Sequence, residues 1–279
     1  MTTWRDVTPD EHPRIGAAGY LRIALRLIPL AAVLLAGLSV LLAIRLVERP
    51  FCGLKRPVSP RVTQAVSRLA LRLVGLGYRV EGRPMTHRGA VVANHSSWLD
   101  IFVLNACQTV YFVSKSEVSG WFFIGWLARA TGTVFIARDP RAAKAQQALF
   151  EDRLRAGHKL LFFPEGTSTD GLRVLPFKST LFAAFYTHGL DHIMQIQPVT
   201  VVFRAPVGAS PRIYGWWGDM NFGQHLLKIL ALPRQGSAEV VFHPPLSIED
   251  FPSRKGLALA CERIVAARLR ASLGEGYAG

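Results

Sequence analysis

The sequence predicts an α/β fold, a mainly parallel sheet flanked by helices, behind an N-terminal membrane-binding helical segment. Three observations carry that expectation. Residues 27–44 form an eighteen-residue run without a charge, bracketed by Arg26 and Arg45. Beyond Arg79, short apolar runs alternate with helical stretches, the pattern of strands covered on both faces by crossover helices. Half of the 279 residues are apolar and 19% are charged, the reverse of a disordered composition and enough for a real core.

The uncharged run is roughly 27 Å long as a helix, close to the ~30 Å hydrocarbon core. A signal peptide has a shorter apolar region and a small-residue cleavage site, so the segment reads as retained. Eighteen residues with no polar face are long for the buried helix of a soluble protein. Pro29 is expected in the first turn, where a missing N–H costs little. Arg5, Arg14, Arg22 and Arg26 precede the run, and Arg45, Arg49, Lys55, Arg56, Arg61, Arg68 and Arg72 follow it. The richer basic side comes after, favouring a cytoplasmic body, while charge on both sides also suits a segment lying in one leaflet.

In residues 59–76 the apolar Val62, Ala65, Val66, Leu69, Ala70, Leu73 and Val74 recur at helical spacing, with Arg61, Arg68 and Arg72 opposite. That pattern fits a basic helix at a bilayer surface and an ordinary domain helix equally. Strands are expected at 90–93, 110–113, 133–136, 160–163, 195–203 and 239–243. Helices are expected at 97–107, 140–156, 178–188 and 254–273. The division is residues 1–78 as membrane-anchoring helices and 79–279 as one catalytic domain.

Cys52, Cys107 and Cys261 are an odd count without a Cys-x-x-Cys pair, which excludes a disulfide-stapled secreted fold and points to reduced thiols. Lys plus Arg is 33 and Asp plus Glu is 19, a net charge of +14. Such a surplus seeks nucleic acid, anionic lipid or an acidic carrier protein. The chain lacks an aromatic-basic recognition motif, and nucleic acid would not explain residues 27–44.

Four polar motifs follow the apolar strands. Asn94-His95-Ser96-Ser97-Trp98-Leu99-Asp100 puts a His at a strand end, where α/β folds meet ligands. A neutral His can take a proton from an alcohol while a carboxylate on Nδ1–H fixes its tautomer. If residues 96 onward were helical, His95 and Asp100 would lie ~140° apart, so the loop must bring them together. Phe163-Pro164-Glu165-Gly166-Thr167-Ser168 is a turn-rich loop able to offer backbone N–H groups and hydroxyls, with Glu165 free to bind a hydroxyl or an arginine. Gly132–Arg138 delivers Arg138 to a strand end. Gln197-Pro198-Val199 is a strand whose proline implies an edge or a start. His87, His158, His188, His192, His225 and His243 show no metal-ligand spacing, so no metal is expected.

Together these blocks resemble the PlsC-type glycerolipid acyltransferase family over roughly residues 80–205. The matches are Asn94, His95 and Asp100; Gly132, Phe135, Ile136 and Arg138; Phe163 to Thr167; and Ile196, Pro198 and Val199. The resemblance implies acyl transfer from a thioester to a lipid hydroxyl, with acyl carrier protein or coenzyme A as the donor's carrier and no other cofactor. It makes His95 the base and Asp100 its orienter, without an acylated Ser or Cys. Asn94, Arg138, Glu165, Gly166, Thr167, Ser168 and Lys178 become substrate-binding candidates. Amides near Glu165-Gly166 or at the start of the helix after His95 are the expected oxyanion donors.

One departure is informative. Members that use lysophosphatidate mostly follow Gly-Thr with Arg, where this chain has Ser168. The run Ser168-Thr169-Asp170-Gly171 with Pro176–Ser179 is similar to the branch that acylates lyso-ornithine lipid on its secondary hydroxyl. 1-Acyl-sn-glycerol-3-phosphate acylation is the alternative. Anionic membrane lipids, the lysolipid and acyl carrier protein are the expected partners, and a bacterial inner membrane with the catalytic domain facing the cytoplasm is the expected location. In Tyr214–Asp219 the paired Trp216 and Trp217 suit core packing or a bilayer interface, and Asp170 or Asp219 could meet an ornithine ammonium.

Overall fold

The computed structural model describes residues 3–10, 14–136, 143–186 and 194–279. Helix α1 (Ala17–Cys52) is twice as long as the uncharged run. Pro29 therefore sits inside the helix rather than in its first turn. The helix starts early because the arginines that read as its flank do another job. Arg22 Nε donates to the Ala231 carbonyl (2.8 Å), and Arg26 donates to the Leu230 and Leu232 carbonyls (2.8 and 2.6 Å), binding the C-terminal end of a second helix where cations are favoured.

Helix α2 (Ser59–Val74) folds back along α1. Glu48 of α1 accepts N–H bonds from Val58 and Ser59 (2.6 and 2.9 Å), satisfying donors at the start of α2. Gly37 lets the helices close: a Cβ there would lie 2.4 Å from a Val66 methyl. Ala70, Leu71 and Val74 enter the core while Arg61, Arg68 and Arg72 face out. Helix α2 packs on α1 and on the Leu99–Cys107 helix, as a domain helix does. Residues 78 and 79, where the division was expected, both lie within strand β1 (Gly77–Glu81).

The remaining strands are β2 (Gly89–Ala93), β3 (Tyr111–Lys115), β4 (Val134–Ile136), β5 (Leu160–Phe162), β6 (Gln195–Arg204), β7 (Ser237–Phe242) and β8 (Leu246–Ser247). They form one sheet in the order β1-β7-β6-β2-β5-β3-β4, with β8 also on β6. Strands β6, β2, β5, β3 and β4 are mutually parallel; β7 runs against β6, and β1 runs with β7. Pro198 is not at an edge or a start. It is the fourth residue of β6, between β2 and the β7–β8 side. It is tolerated because Pro244-Pro245 interrupt the neighbouring ladder beside it, where a missing N–H breaks no regular pair.

Alternation along β2 divides two cores. Val91 and Ala93 face α1, α2, α3 (Leu99–Cys107) and α6 (Phe222–Ala231). Ala90 and Val92 face α5 (Ala143–Arg155), a 3₁₀ segment (Ser179–Tyr186) and α7 (Arg254–Leu273). The 178–188 helix is thus 3₁₀ over its described part. Helix α4 (Ile124–Thr131) packs on α1, and Phe122 and Trp126 remain largely exposed beside it. Leu21, Leu25, Ile28, Leu35, Leu46 and Phe51 of α1 are likewise exposed, and large apolar groups left open in this number suit contact with a membrane or a partner.

Candidate active site

The site lies past the C-terminal ends of the parallel strands. Asn94, just after β2, is buried and clips that strand's end to β6: its Nδ2 donates to the Val201 carbonyl and its Oδ1 accepts from Val201 N–H, both at 2.8 Å. It was expected to bind substrate; in the structure both of its amide heteroatoms are engaged by the Val201 backbone, which fixes the loop.

The chain then turns so that His95 and Asp100 meet. Asp100 Oδ2 lies 2.7 Å from His95 Nδ1 and accepts the N–H groups of Ser96 and Ser97 (2.8 and 2.9 Å). These contacts place Asp100 in the first turn of α3, where a carboxylate is favoured. They also put the imidazole proton on Nδ1 and leave Nε2 as the acceptor. Asp100 is wholly buried, whereas the His95 side chain keeps 20% of its surface. Phe163 stacks on the imidazole at 4.0 Å, interplanar angle 11°. The result is an oriented base with one apolar wall.

Glu165 stands behind this pair rather than in front of it. It is 1% exposed, and its two oxygens accept from His95 N–H (2.7 Å) and Leu175 N–H (2.8 Å). Burial, reinforced by Asp100 and Glu262, outweighs these two donors and pushes its carboxyl up to about 8. The expected contact with a substrate hydroxyl or an arginine is therefore replaced by a link between two loops.

The amides expected to hold an oxyanion are engaged: Ser96 and Ser97 donate to Asp100, and Gly166 (φ 71°) donates to the Phe163 carbonyl, closing a turn. Thr167 Oγ1 accepts from Trp4 N–H (3.4 Å), and the Ser168 hydroxyl donates to the Trp216 carbonyl. Lys178 is half-buried, with its N–H on the Pro164 carbonyl (2.9 Å). Asp170 is buried against Arg173 (3.2 Å) and Arg212 (3.5 Å), so its charge is already matched. Asp219 is exposed and paired with Arg5 at 2.8 Å. Arg138 lies outside the described residues.

The structure thus brings His95, Asp100, Asn94, Glu165, Gly166, Thr167 and Ser168 into one cluster, with Lys178 at the base of the same loop. Sequence reasoning missed two supports. Trp216 N–H donates to the Ser96 carbonyl (2.8 Å), tying the 214–217 segment to the catalytic loop. Trp4 packs on Trp217, and Arg173 lies 4.9 Å from its ring. The paired tryptophans were a visible signal; nothing marked Trp4. Among the described residues no three His, Cys, Asp or Glu side chains converge to hold a metal ion.

A buried carboxylate behind a half-open imidazole at the strand ends, on a body carrying an apolar outer helix, is an arrangement able to take a proton from a hydroxyl. The chain belongs to the PlsC-type acyltransferase family and is a membrane-associated O-acyltransferase. The family model described as Acyltransferase matches residues 78–202. The chain is 66% identical over 257 residues, 92% of each chain, to "Lyso-ornithine lipid O-acyltransferase" of Rhodobacter capsulatus. It is 36% identical to the protein of the same name from Brucella abortus, over 80% of this chain and 87% of that one. The crystal structure of the 1-acyl-sn-glycerophosphate acyltransferase PlsC from Thermotoga maritima shares the fold, with a TM-score of 0.58 at 20% identity, over 89% of this chain and 98% of that one.

Proposed function

We propose that this enzyme acylates the secondary hydroxyl of lyso-ornithine lipid, making ornithine lipid. The observation that carries this reading is the match along 92% of both chains to the Rhodobacter capsulatus protein of that name. Ser168 adds to it. Its hydroxyl is used inside the fold, on the Trp216 carbonyl, and supplies no cation for a phosphate.

The step is direct. His95 Nε2 takes the hydroxyl proton as the oxygen attacks the thioester carbonyl. The ester C–O bond forms, the C–S bond breaks, and the thiolate leaves with the proton carried by His95. Asp100 fixes the ring and stabilises the imidazolium. Arg138, matched to the family's motif, is assigned to anionic substrate groups, and Lys178 to the loop's outer side. The donor is an acyl thioester of acyl carrier protein or coenzyme A, and the +14 charge favours the acidic carrier protein.

The membrane is assigned as the bacterial inner membrane, with the sheet on the cytoplasmic side where such thioesters are made. Helix α1, about 54 Å long, lies along α2 and α6 instead of projecting from the body, which supports a seat in one leaflet. The test is a competition: purified chain, labelled acyl thioester, and equal lyso-ornithine lipid and lysophosphatidate. Preferential labelling of ornithine lipid is expected; phosphatidate as the main product overturns the acceptor.

A further inference from the structure

A second polar centre lies at the opposite end of the sheet, where α1 ends and β2, β3 and β5 begin. It borders a cavity of about 970 Å³. Lys55 and Arg56 come from the α1–α2 turn, His158 and Lys159 from the turn into β5, and Thr86 and Thr109 add hydroxyls. No Asp or Glu stands among the described lining residues. Glu48, the nearby acid, is engaged by Arg45 (3.2 Å) and by the first amides of α2.

His158 is 5% exposed, and its ring lies against the Leu54 backbone. Its ring stacks on Tyr111 at 4.2 Å, and the Arg153 guanidinium lies 4.6 Å from the same Tyr111 ring. Arg153, behind the wall, is 7% exposed and donates through one guanidinium nitrogen to the Gly132 carbonyl (2.7 Å). Burial, aided by mutual repulsion with Arg56, holds Arg153 down at about 10 and His158 down at about 4. Buried cations without a counter-charge are costly, and an anion in the cavity would relieve that cost. The rim is apolar: Phe51 and Leu54 line the opening and stay exposed, continuous with the outer face of α1.

We propose that this cavity binds the phosphate group of an anionic phospholipid, at a site separate from the catalytic histidine. The cationic wall of Lys55, Arg56 and Lys159 takes the phosphate, and the apolar rim takes the start of the acyl chains. Inorganic phosphate shares the first chemistry and lacks the second.

The test is titration calorimetry on the full chain in neutral detergent with dihexanoyl phosphatidylglycerol, dihexanoyl phosphatidylcholine and inorganic phosphate. A single phosphatidylglycerol is expected, bound about tenfold or more tighter than either comparison ligand. Lys55→Glu weakens it by about tenfold or more, as loss of a charge-assisted contact implies, and His158→Phe by about fivefold, as loss of a neutral hydrogen bond implies, with acyl transfer in detergent unchanged. Equal binding of the two lipids overturns the proposal, as does inorganic phosphate binding as tightly as phosphatidylglycerol. Should His158→Phe fail to fold, the exposed Lys55→Glu decides: unaltered phosphatidylglycerol affinity overturns the site.

Discussion

His95 and His158 stand at opposite ends of one sheet and show how a fold makes two different groups from the same side chain. His95 follows the C-terminal end of β2, with a buried carboxylate on Nδ1, an aromatic shelf and an open Nε2. His158 precedes β5, buried against Tyr111 and near arginines, with no carboxylate on its ring. The first presents an oriented ring with one nitrogen open to a ligand. The second stays neutral across the physiological range. The difference lies in which charge stands behind the ring.

That contrast can be broken from its stronger side first. His95→Ala is expected to cost on the order of 10²–10⁴-fold in turnover, while His158→Phe leaves turnover in detergent near wild type; single-turnover acyl transfer checks both. Asp100→Asn keeps a carbonyl oxygen for the two loop amides and removes only the charge. A loss of about 10²-fold or more in kcat is expected, with the protein still folded by circular dichroism. Glu165→Gln turns an NH₂ toward one of the two amides that Glu165 accepts. It is expected to lower stability by about 1–3 kcal/mol, read as a lower denaturation midpoint.

At the other end the expected effect is smaller and depends on pH. Burial holds folded His158 near 4, below its ordinary 6.5, so the unfolded chain binds the extra proton between those values. Stability contributed by the neutral ring is full above about pH 6.5 and lost as pH falls toward 4, at no more than ~1.4 kcal/mol per pH unit. His158→Phe should flatten that part of a denaturation-versus-pH curve.

Much of this was legible in the residues. Six strands fell where apolar runs predicted them, because β2, β5, β6 and β7 are buried nearly throughout. Strand β1 was hidden because it is short and mostly exposed, with only Tyr78 and Val80 as apolar residues. The extent of α1 was hidden because Arg22 and Arg26 look like flanking charges until α6 supplies the carbonyls they bind. In the site, the His95–Asp100 pair was readable from its motif, but the roles of Asn94 and Glu165 were not. Both are polar residues in a ligand-facing block, and only the tertiary partners, Val201 and Leu175, show them facing inward. Pro198 read as an edge because the break opposite it, at Pro244-Pro245, is remote in sequence.

The most direct measurement is a rapid-quench single turnover of the full chain with labelled acyl thioester and lyso-ornithine lipid, in wild type and His95→Ala. Direct transfer predicts label passing from thioester to ornithine lipid with none held on the protein, and a His95→Ala rate lower by on the order of 10²–10⁴-fold. Label trapped on Ser96 or Ser97, or a His95→Ala rate near that of wild type, would contradict it.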